Sequence, residues 1–451
     1  MVTMSGELAL LGGTPEVTRP IPLWPAVGDG EIDAVVAALH QSRSDVQYLN
    51  SMPGGGPVAA LEEDFAGHFG VRYAIASASG AASLHMALYA VGVEAGDEVI
   101  VSPYTWGQTV SPILNQGAIP VFADIEPATY TLDPEAVEAR ITPYTKAILV
   151  VHIFGQPADM DGLLAVARRH GLPVIEDCAQ ATGGRYRGQY VGTIGDVGCF
   201  SFGDGKQIIG GDGGMVLTND TQVYERACAI GSHPVRQERD IQDPALTPYI
   251  DSLTYTYRIH PLAAVIIREQ LRHMDAWNAE RRINHERLSE GLAGVRGLRP
   301  VAEIPGGEHV YHRHSPTLVP DEMGGLDRAT IVAALEAEGV PANLGYVRQP
   351  IHLRARFQDR AYFFGRQYPW AAHPSGRGTD AVAYRAGDCP VAEQRCAAEE
   401  LDLLGMTAPA WRGGLRELVD QHVCAVQKVF EPANLAALRN WERRTYPQPS
   451  P

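Results

Sequence analysis

The sequence predicts an α/β protein with a mostly parallel central sheet. From Val58 onwards, segments with helical periodicity alternate with short apolar runs, which is the pattern of a parallel sheet flanked by helices. Some of these runs, such as residues 147–153, are apolar throughout, as expected of strands buried on both faces. A chain of 451 residues is also long enough to form two domains with cores of their own.

The elements follow from the sequence in order. Residues 7–25 are rich in Pro and Gly and are predicted to be extended, a helix is expected at about 29–40, and the glycine-rich stretch 41–58 predicts a loop. The alternating part predicts helices at 58–70, 81–92, 109–117, 133–141 and 160–171, with strands at 73–77, 97–103, 119–125, 146–155 and 173–178. Beyond it, the pattern predicts a long helix at 262–294, a strand at 309–320, a helix at 329–340 and a final helix at 414–444.

Composition narrows the class of protein. The net charge of −16 argues against sequence-independent binding to nucleic acid or to an anionic membrane surface. The N-terminus has no signal-peptide pattern and no apolar run reaches membrane-spanning length, so a cytoplasmic protein is expected. Six cysteines without a CxxC pair predict reduced thiols and no metal site.

One lysine stands in the most distinctive stretch of the chain, CFSFGDGKQIIGGDGG at residues 199–214. Lys206 lies among glycines between two apolar runs, which predicts a loop residue between strands. A lysine in such a turn can bind phosphate as a point charge or attack a carbonyl as a free amine. Gln207 follows Lys206 where a phosphate-binding P-loop needs Ser or Thr, so the amine interpretation is favoured.

An acidic residue about thirty positions earlier fits an aldehyde cofactor. Asp177 ends the apolar run VIED, and a carboxylate at the end of a buried strand needs a charged partner. The protonated ring nitrogen of pyridoxal 5′-phosphate (PLP) is such a partner, because a carboxylate beside it makes the ring an electron sink. Cys178, next to Asp177, is interpreted as a packing residue.

Six motifs in order carry a resemblance to a known family. SASGAASLHMAL, SPYTW, EDCAQA, SFGDGK, GGDGG and TYTYRIHPLAA resemble those of the DegT/DnrJ/EryC1/StrS aminotransferases, from about Leu8 to about Pro390. The resemblance implies the PLP-dependent transferase fold of type I, like that of aspartate aminotransferase. It also implies transfer of an amino group from L-glutamate or L-glutamine to a keto sugar or keto cyclitol, as in aminoglycoside-type biosynthesis.

The resemblance assigns roles to individual residues. It implies that the PLP phosphate is bound by Gly80, Ala81 and Ala82 at a helix N-terminus, where N–H groups and the helix dipole favour an anion, and by Ser201. Trp106 is expected to stack on the cofactor ring, Gln180 to hydrogen-bond the ring's phenolic oxygen, and Lys206 to form the Schiff base and then carry the proton. Asp212 and Ala81 depart from the family's usual Glu and Thr.

The resemblance also implies a homodimer with shared active sites. Thr256 stands where relatives have an Asn that reaches the phosphate in the neighbouring subunit, and Arg258 matches the motif's Arg, as a ligand or as a structural ion pair. The three histidines His309, His312 and His314 lie in the predicted strand, with His312 and His314 on one face. They are interpreted as a wall that meets a polyol substrate, because no acid or cysteine completes a metal set.

Several alternatives stay open within this family. LALLGG and HVYHRH resemble the scyllo-inosose branch more than the nucleotide-sugar branch, while an aminobenzoate-type synthase, a PLP-dependent dehydratase or lyase, and an inactive PLP-fold partner protein are also possible. The predicted domains are 1–259, with the N-terminal arm and the PLP-binding part, and 260–451, the small domain. Residues 362–388 are predicted to be a substrate-specific insertion, because they lack periodicity and exceed a typical loop.

Overall fold

A seven-stranded sheet forms the centre of the computed structural model, which describes residues 6–24, 27–361 and 367–445. The strands up to residue 218 are β1 Tyr73–Ser77, β2 Glu98–Val101, β3 Ile119–Phe122, β4 Thr145–Val151, β5 Val174–Asp177, β6 Arg185–Tyr186, β7 Gln189–Tyr190, β8 Val197–Ser201 and β9 Gly214–Thr218. The sheet order is β1-β9-β8-β5-β4-β2-β3. Only β9 runs against its neighbours β1 and β8, so the prediction of a mostly parallel α/β sheet is confirmed.

The first six helices of the chain lie close to where the sequence predicts them, whereas the two that follow them were not predicted. These helices are α1 Asp29–Ser42, α2 Pro57–Phe69, α3 Gly80–Ala90, α4 Gly107–Asn115, α5 Pro134–Arg140, α6 Met160–His170, α7 Thr221–Gly231 and α8 Pro234–Asp240. Side chains cap several of their N-termini, as when Ser79 accepts from the Ala82 amide and Asp159 from the Gly162 amide. β1 and β2 lead into α3 and α4, so two helix N-termini face the carboxyl edge of the sheet.

The C-terminal part contains shorter elements. They are α9 Pro261–Leu271, α10 Met274–Leu292, β10 Leu298–Arg299, β11 Gly307–Glu308, β12 Thr317–Leu318, α11 Arg328–Ala337, β13 Ala342–Asn343, α12 Ala355–Gln358, α13 Pro390–Gln394, β14 Asp402–Leu403, α14 Arg416–Phe430 and α15 Pro432–Thr445.

Three predictions for this part were wrong in detail. The predicted helix 414–444 is two helices, because Pro432 lacks the N–H that would continue α14 and forces Glu431 out of helical geometry. The predicted helix 262–294 is interrupted where the His273 amide bonds the Gln270 carbonyl in a turn. The predicted strand 309–320 is paired as a strand only at Thr317–Leu318.

Buried apolar side chains form four clusters in the described residues, and two of them tie distant parts of the chain together. One surrounds the large sheet and includes residues from the 347–396 stretch such as Trp370 and Tyr384; the Tyr384 hydroxyl donates to the Pro120 carbonyl at 2.6 Å. The other joins α10, α11 and α14 and includes Leu8 from the N-terminal segment. The domain division at residue 259 and the insertion at 362–388 stay predictions, and residues 362–366 of that stretch lie outside the described residues.

No helix in the described ranges is long and apolar enough to cross a membrane. All six cysteines are present as free thiols, and five of them are buried.

Candidate active site

A cavity of about 340 Å³ lies at the carboxyl ends of the parallel strands. One side of it is formed by the starts of α3 and α4, the end of β5 and the turn after β8. The other side comes from the C-terminal half of the chain, with His312, Arg313 and Tyr346. Ligands of α/β proteins bind at this edge of the sheet, because exposed loop groups and helix N-termini converge there.

Lys206 lies in this cavity, on the turn between β8 and β9, as its glycine-rich surroundings predict. Gly205, just before it, has φ = +79°, a conformation that glycine adopts without strain. Burial lowers the pKa of the Lys206 ammonium to about 8, although the charge of Asp177 opposes this shift. A substantial fraction of this lysine is therefore a neutral, nucleophilic amine near physiological pH.

Asp177 lies in the same cavity, at the end of β5. Its two carboxylate oxygens accept hydrogen bonds from the Thr109 hydroxyl at 2.8 Å and from the Ala179 amide at 3.0 Å. Burial raises the pKa of this carboxyl, and the two hydrogen bonds and the charge of Lys206 oppose the rise. The two hydrogen bonds thus hold the carboxylate in one orientation. A cationic partner in the cavity would stabilise its charged form.

The start of α3 forms one end of the cavity. Gly80, Ala81 and Ser201 line it, whereas Ala82 is buried and donates its amide to the Ser79 side chain. A Cβ at Gly80 would lie 2.7 Å from Cβ of Ser201, so only glycine lets the helix start approach this serine so closely. The first N–H groups of the helix have no partner within it and can receive an anion.

The aromatic and amide residues expected around a cofactor ring also line the cavity. Trp106 precedes α4 and is 54% exposed, so its ring is available for stacking. Gln180 is buried. Its side-chain oxygen Oε1 accepts a hydrogen bond from the Phe154 amide at 2.8 Å, and its side-chain NH₂ donates to the Tyr346 hydroxyl at 3.1 Å. The side chain of Gln180 is therefore held in one orientation.

Thr256 is not among the described residues that line this cavity within the same chain. It is exposed and has φ = +53°. Arg258, two residues later, approaches Ser51 at 3.4 Å from Nη1.

The predicted strand alternation of the three histidines, with His312 and His314 on one face, was wrong. His312 lines the cavity, and its Nδ1–H donates to the Gly205 carbonyl at 2.8 Å. His309 and His314 are buried elsewhere, in a stack of rings with Tyr311 and His285. Tyr311 has φ = +48°, and the amides of residues 312 and 313 both point to the Phe154 carbonyl, so the backbone is not an extended strand here.

Several cavity residues were missed by sequence reasoning, among them Thr109, Arg313 and Tyr346. Thr109 lies one helical turn after Trp106, a spacing that could have indicated it. Tyr346 comes from the C-terminal half without a motif, whereas Arg313 lies within the HVYHRH stretch but was given no role there. The Arg313 guanidinium lies 3.2 Å from the Asp402 carboxylate and 5.1 Å from the centre of the Tyr346 ring.

A second group of reactive residues lies behind the cavity and is used structurally. His152 Nε2–H donates to Glu176 at 2.9 Å, and His152 Nδ1 accepts the Ala158 amide. Glu176 also accepts three backbone amides, those of residues 192, 194 and 195. Cys178 is fully buried beside it and its thiol pKa is raised by burial, which agrees with a packing role. The lone pairs that His152 and Glu176 would offer a metal are thus taken by hydrogen bonds.

The residues around the cavity fit PLP. Lys206 offers the amine for the aldehyde, and Asp177 offers an oriented carboxylate for the ring nitrogen. The start of α3 and Ser201 offer N–H and hydroxyl donors for the phosphate at a place where a Cβ on residue 80 would intrude. All these groups line one cavity, so a single molecule of the cofactor can reach them together.

Comparisons with known proteins agree with this geometry. Residues 41–379 match the model of the DegT/DnrJ/EryC1/StrS aminotransferase family. An L-glutamine:2-deoxy-scyllo-inosose aminotransferase of Streptoalloteichus tenebrarius is 39% identical over 391 residues, covering 82% of this chain and 89% of the relative. An aminotransferase from Psychrobacter cryohalolentis superposes with a TM-score of 0.75 at 30% identity, covering 92% of this chain and 100% of that one. The structure of 3-amino-5-hydroxybenzoic acid synthase superposes with a TM-score of 0.73 at 28% identity. The match covers 90% of this chain and 98% of that one. The chain therefore belongs to the DegT/DnrJ/EryC1/StrS family and is a PLP-dependent aminotransferase.

Proposed function

We propose that the protein transfers the amino group of L-glutamine to the keto carbon of a cyclitol of the scyllo-inosose type. The observation that carries this proposal is the cavity itself, where Lys206 and Asp177 face a wall of hydrogen-bonding side chains from the C-terminal half. Relatives named L-glutamine:2-deoxy-scyllo-inosose aminotransferases, 37–39% identical over 74–82% of this chain, support it.

Two residues carry the proton chemistry. PLP, when bound, supplies an aldehyde that accepts the amino group and a ring that withdraws electrons. Asp177 keeps the proton on the ring nitrogen, and the Thr109 hydroxyl and Ala179 amide hold its carboxylate in that direction. The Lys206 amine accepts the proton that leaves the donor's α carbon and later delivers a proton to the acceptor's keto carbon. A pKa of about 8 suits both steps, because the group can then both gain and lose a proton near neutral pH.

The wall opposite Lys206 suits a compact polyol. His312 donates from Nδ1 to the Gly205 carbonyl, so Nε2 of its neutral ring carries a lone pair. That lone pair can accept a hydrogen bond from a hydroxyl group of the substrate. On this wall Arg313 supplies donors, and Asp204, on the turn of Lys206 itself, supplies acceptors. PLP and the acceptor must share this cavity of about 340 Å³, which leaves less room inside it for a nucleotide sugar than for a single ring.

The test is a panel of keto acceptors given to the purified, PLP-loaded protein. L-glutamine should change the absorption of the bound cofactor, and 2-deoxy-scyllo-inosose should then yield an amine that mass spectrometry detects. Lys206→Ala is the control and should give no product. Amination of a nucleotide-linked keto sugar alone, or a change in absorption without any aminated cyclitol, would contradict the proposal.

We also propose that the working form is a homodimer with shared active sites, in a reducing compartment such as the cytoplasm. Large exposed apolar side chains precede the exposed Thr256 in the chain, namely Leu253 at 89% and Tyr255 at 58% exposure. Exposed apolar groups of this size favour an interface between subunits. The six free thiols support the reducing environment.

A further inference from the structure

The N-terminal segment is fastened to the C-terminal part of the chain. We call residues 6–24 the N-terminal strap. Glu338 accepts the amides of Ala9 at 2.8 Å and Glu16 at 3.1 Å through its two carboxylate oxygens. Lys428 donates to the Thr14 carbonyl at 3.0 Å and to Glu338 at 3.1 Å. The strap therefore has a fixed path across α11 and α14.

The strap ends on the turn that carries the catalytic lysine. The indole N–H of Trp24 donates to the backbone carbonyl of Lys206 at 3.1 Å. The same indole lies against the guanidinium of Arg412, whose carbon is 5.0 Å from the ring centre. Arg412 also lies 3.8 Å from the ring centre of Trp277 on α10. The Trp24 ring is thus held in place by a contact that does not involve the turn.

Other hydrogen bonds hold the turn at the residues on either side of Lys206. Its preceding carbonyl, that of Gly205, accepts from His312, and the Gln207 side chain donates to the Gln180 carbonyl at 2.7 Å. A hydrogen bond to the Lys206 carbonyl fixes the plane of the next peptide bond and so holds ψ of Lys206, which restrains the backbone segment that carries the lysine side chain. A hydrogen-bond donor to the Lys206 carbonyl therefore influences the position of the lysine's amine.

We propose that Trp24 is a positioning residue for Lys206, acting through the hydrogen bond from its indole N–H to the lysine's carbonyl. The N-terminal strap thereby links the packing of the C-terminal half to the placement of the reacting amine. The inference rests on Lys206 as the amine that condenses with PLP, and it is independent of which keto acceptor the enzyme uses.

Two matched substitutions test it. Trp24→Phe keeps a ring against Arg412 and removes the N–H donor. Trp277→Phe makes the same change in the other ring beside Arg412, and Trp277 has no hydrogen bond to the Lys206 turn among the described residues. The cofactor-free proteins are treated with pyridoxal and cyanoborohydride, and mass spectrometry follows labelling of each lysine, with exposed Lys146 as the internal reference.

We expect Trp24→Phe to lower the labelling rate of Lys206 about tenfold relative to Lys146, because a misdirected amine meets the aldehyde less often. The kcat of the loaded enzyme should fall by a similar factor, while Trp277→Phe should match the wild type in both measurements. Pyridoxal lacks the phosphate, so the labelling rate reports on the amine rather than on phosphate binding.

Equal losses in the two variants, or wild-type labelling in Trp24→Phe, would overturn the proposal. If Trp24→Phe does not fold, replacing the indole by benzothiophene keeps the ring's shape without the N–H and must give the same loss at Lys206. Absence of cyclitol amination by the wild type would contradict the proposed substrate but would leave the ratio of labelling rates unaffected.

Discussion

Lys206 combines a place in the cavity with an unusually acidic ammonium group. Burial lowers its pKa from 10.5 to about 8. The amine is protonated and unreactive below that pH and neutral above it, so its reactivity should rise as pH increases through 8. In the cofactor-free protein, we expect the rate of acetylation at Lys206 to show a midpoint near 8.

The chain makes this measurement clean because it has only three lysines, Lys146, Lys206 and Lys428. Peptide mass spectrometry can follow each of them in one reaction. A midpoint for Lys206 at the ordinary value of 10.5 would show that the side chain is solvated and would contradict its environment in the cavity.

Thr109 controls the carboxylate beside the cofactor ring. Its hydroxyl donates to Asp177, which lowers the pKa of that carboxyl against the effect of burial. Thr109→Val removes the donor with little change in shape, so the carboxyl should become easier to protonate and hold the ring nitrogen less well. We expect kcat to fall about ten- to a hundredfold, the effect of a hydrogen bond to a charged group.

Thr109→Ser keeps the hydroxyl and serves as the control in steady-state assays with L-glutamine. It should retain most of the wild-type kcat. Equal loss in both variants would mean that packing of the Thr109 methyl group, rather than the hydrogen bond, supports activity.

The start of α3 is the element that should decide how tightly PLP is held. Gly80→Ala would place a Cβ 2.7 Å from Cβ of Ser201 and push the helix start from the serine. We expect weaker binding of PLP, measured by fluorescence titration of the cofactor-free protein, and a lower melting temperature. Unchanged PLP affinity would show that the phosphate is bound elsewhere.

Gly67→Ala in α2 is the matched control for that change. A Cβ there meets nothing within 4 Å, so the substitution should leave PLP binding unchanged and stabilise the helix by about 0.5–1 kcal/mol.

The same elements show how far sequence reasoning reaches. Lys206 and Asp177 could be predicted together because the ends of neighbouring strands meet at one edge of a sheet, and β5 and β8 are such neighbours. Tyr346 could not, because it reaches the cavity from irregular backbone where neither periodicity nor a motif fixes a position. Arg313 could not either, because the predicted strand alternation around it was wrong and the backbone there is irregular. The break before Pro432 was readable from the residue type, whereas the break at His273 has no such marker.

In the whole molecule, the position of Thr256 raises the question of which active site it serves. The residue is exposed and lies away from the cavity of its own chain, in the described structure, yet its motif predicts a contact with phosphate. A symmetric dimer resolves this if each subunit lends its Thr256 to the other site. Thr256→Asp should then abolish activity by repelling the phosphate, because Asp tolerates the positive φ of this position while adding a charge. Thr256→Asn, of similar size and neutral, should remain active.

Mixing two inactive variants distinguishes sharing from a site built within one chain. Random pairing of Lys206→Ala with Thr256→Asp makes half of the dimers mixed, and each mixed dimer has one site in which both residues are intact. Because that is one site of two in half of the dimers, the refolded mixture should recover about a quarter of the wild-type activity. If Thr256 served the site of its own chain, or if the protein worked as a monomer, every site would still lack one of the two residues. The mixture would then stay inactive, and the shared site would have to be abandoned.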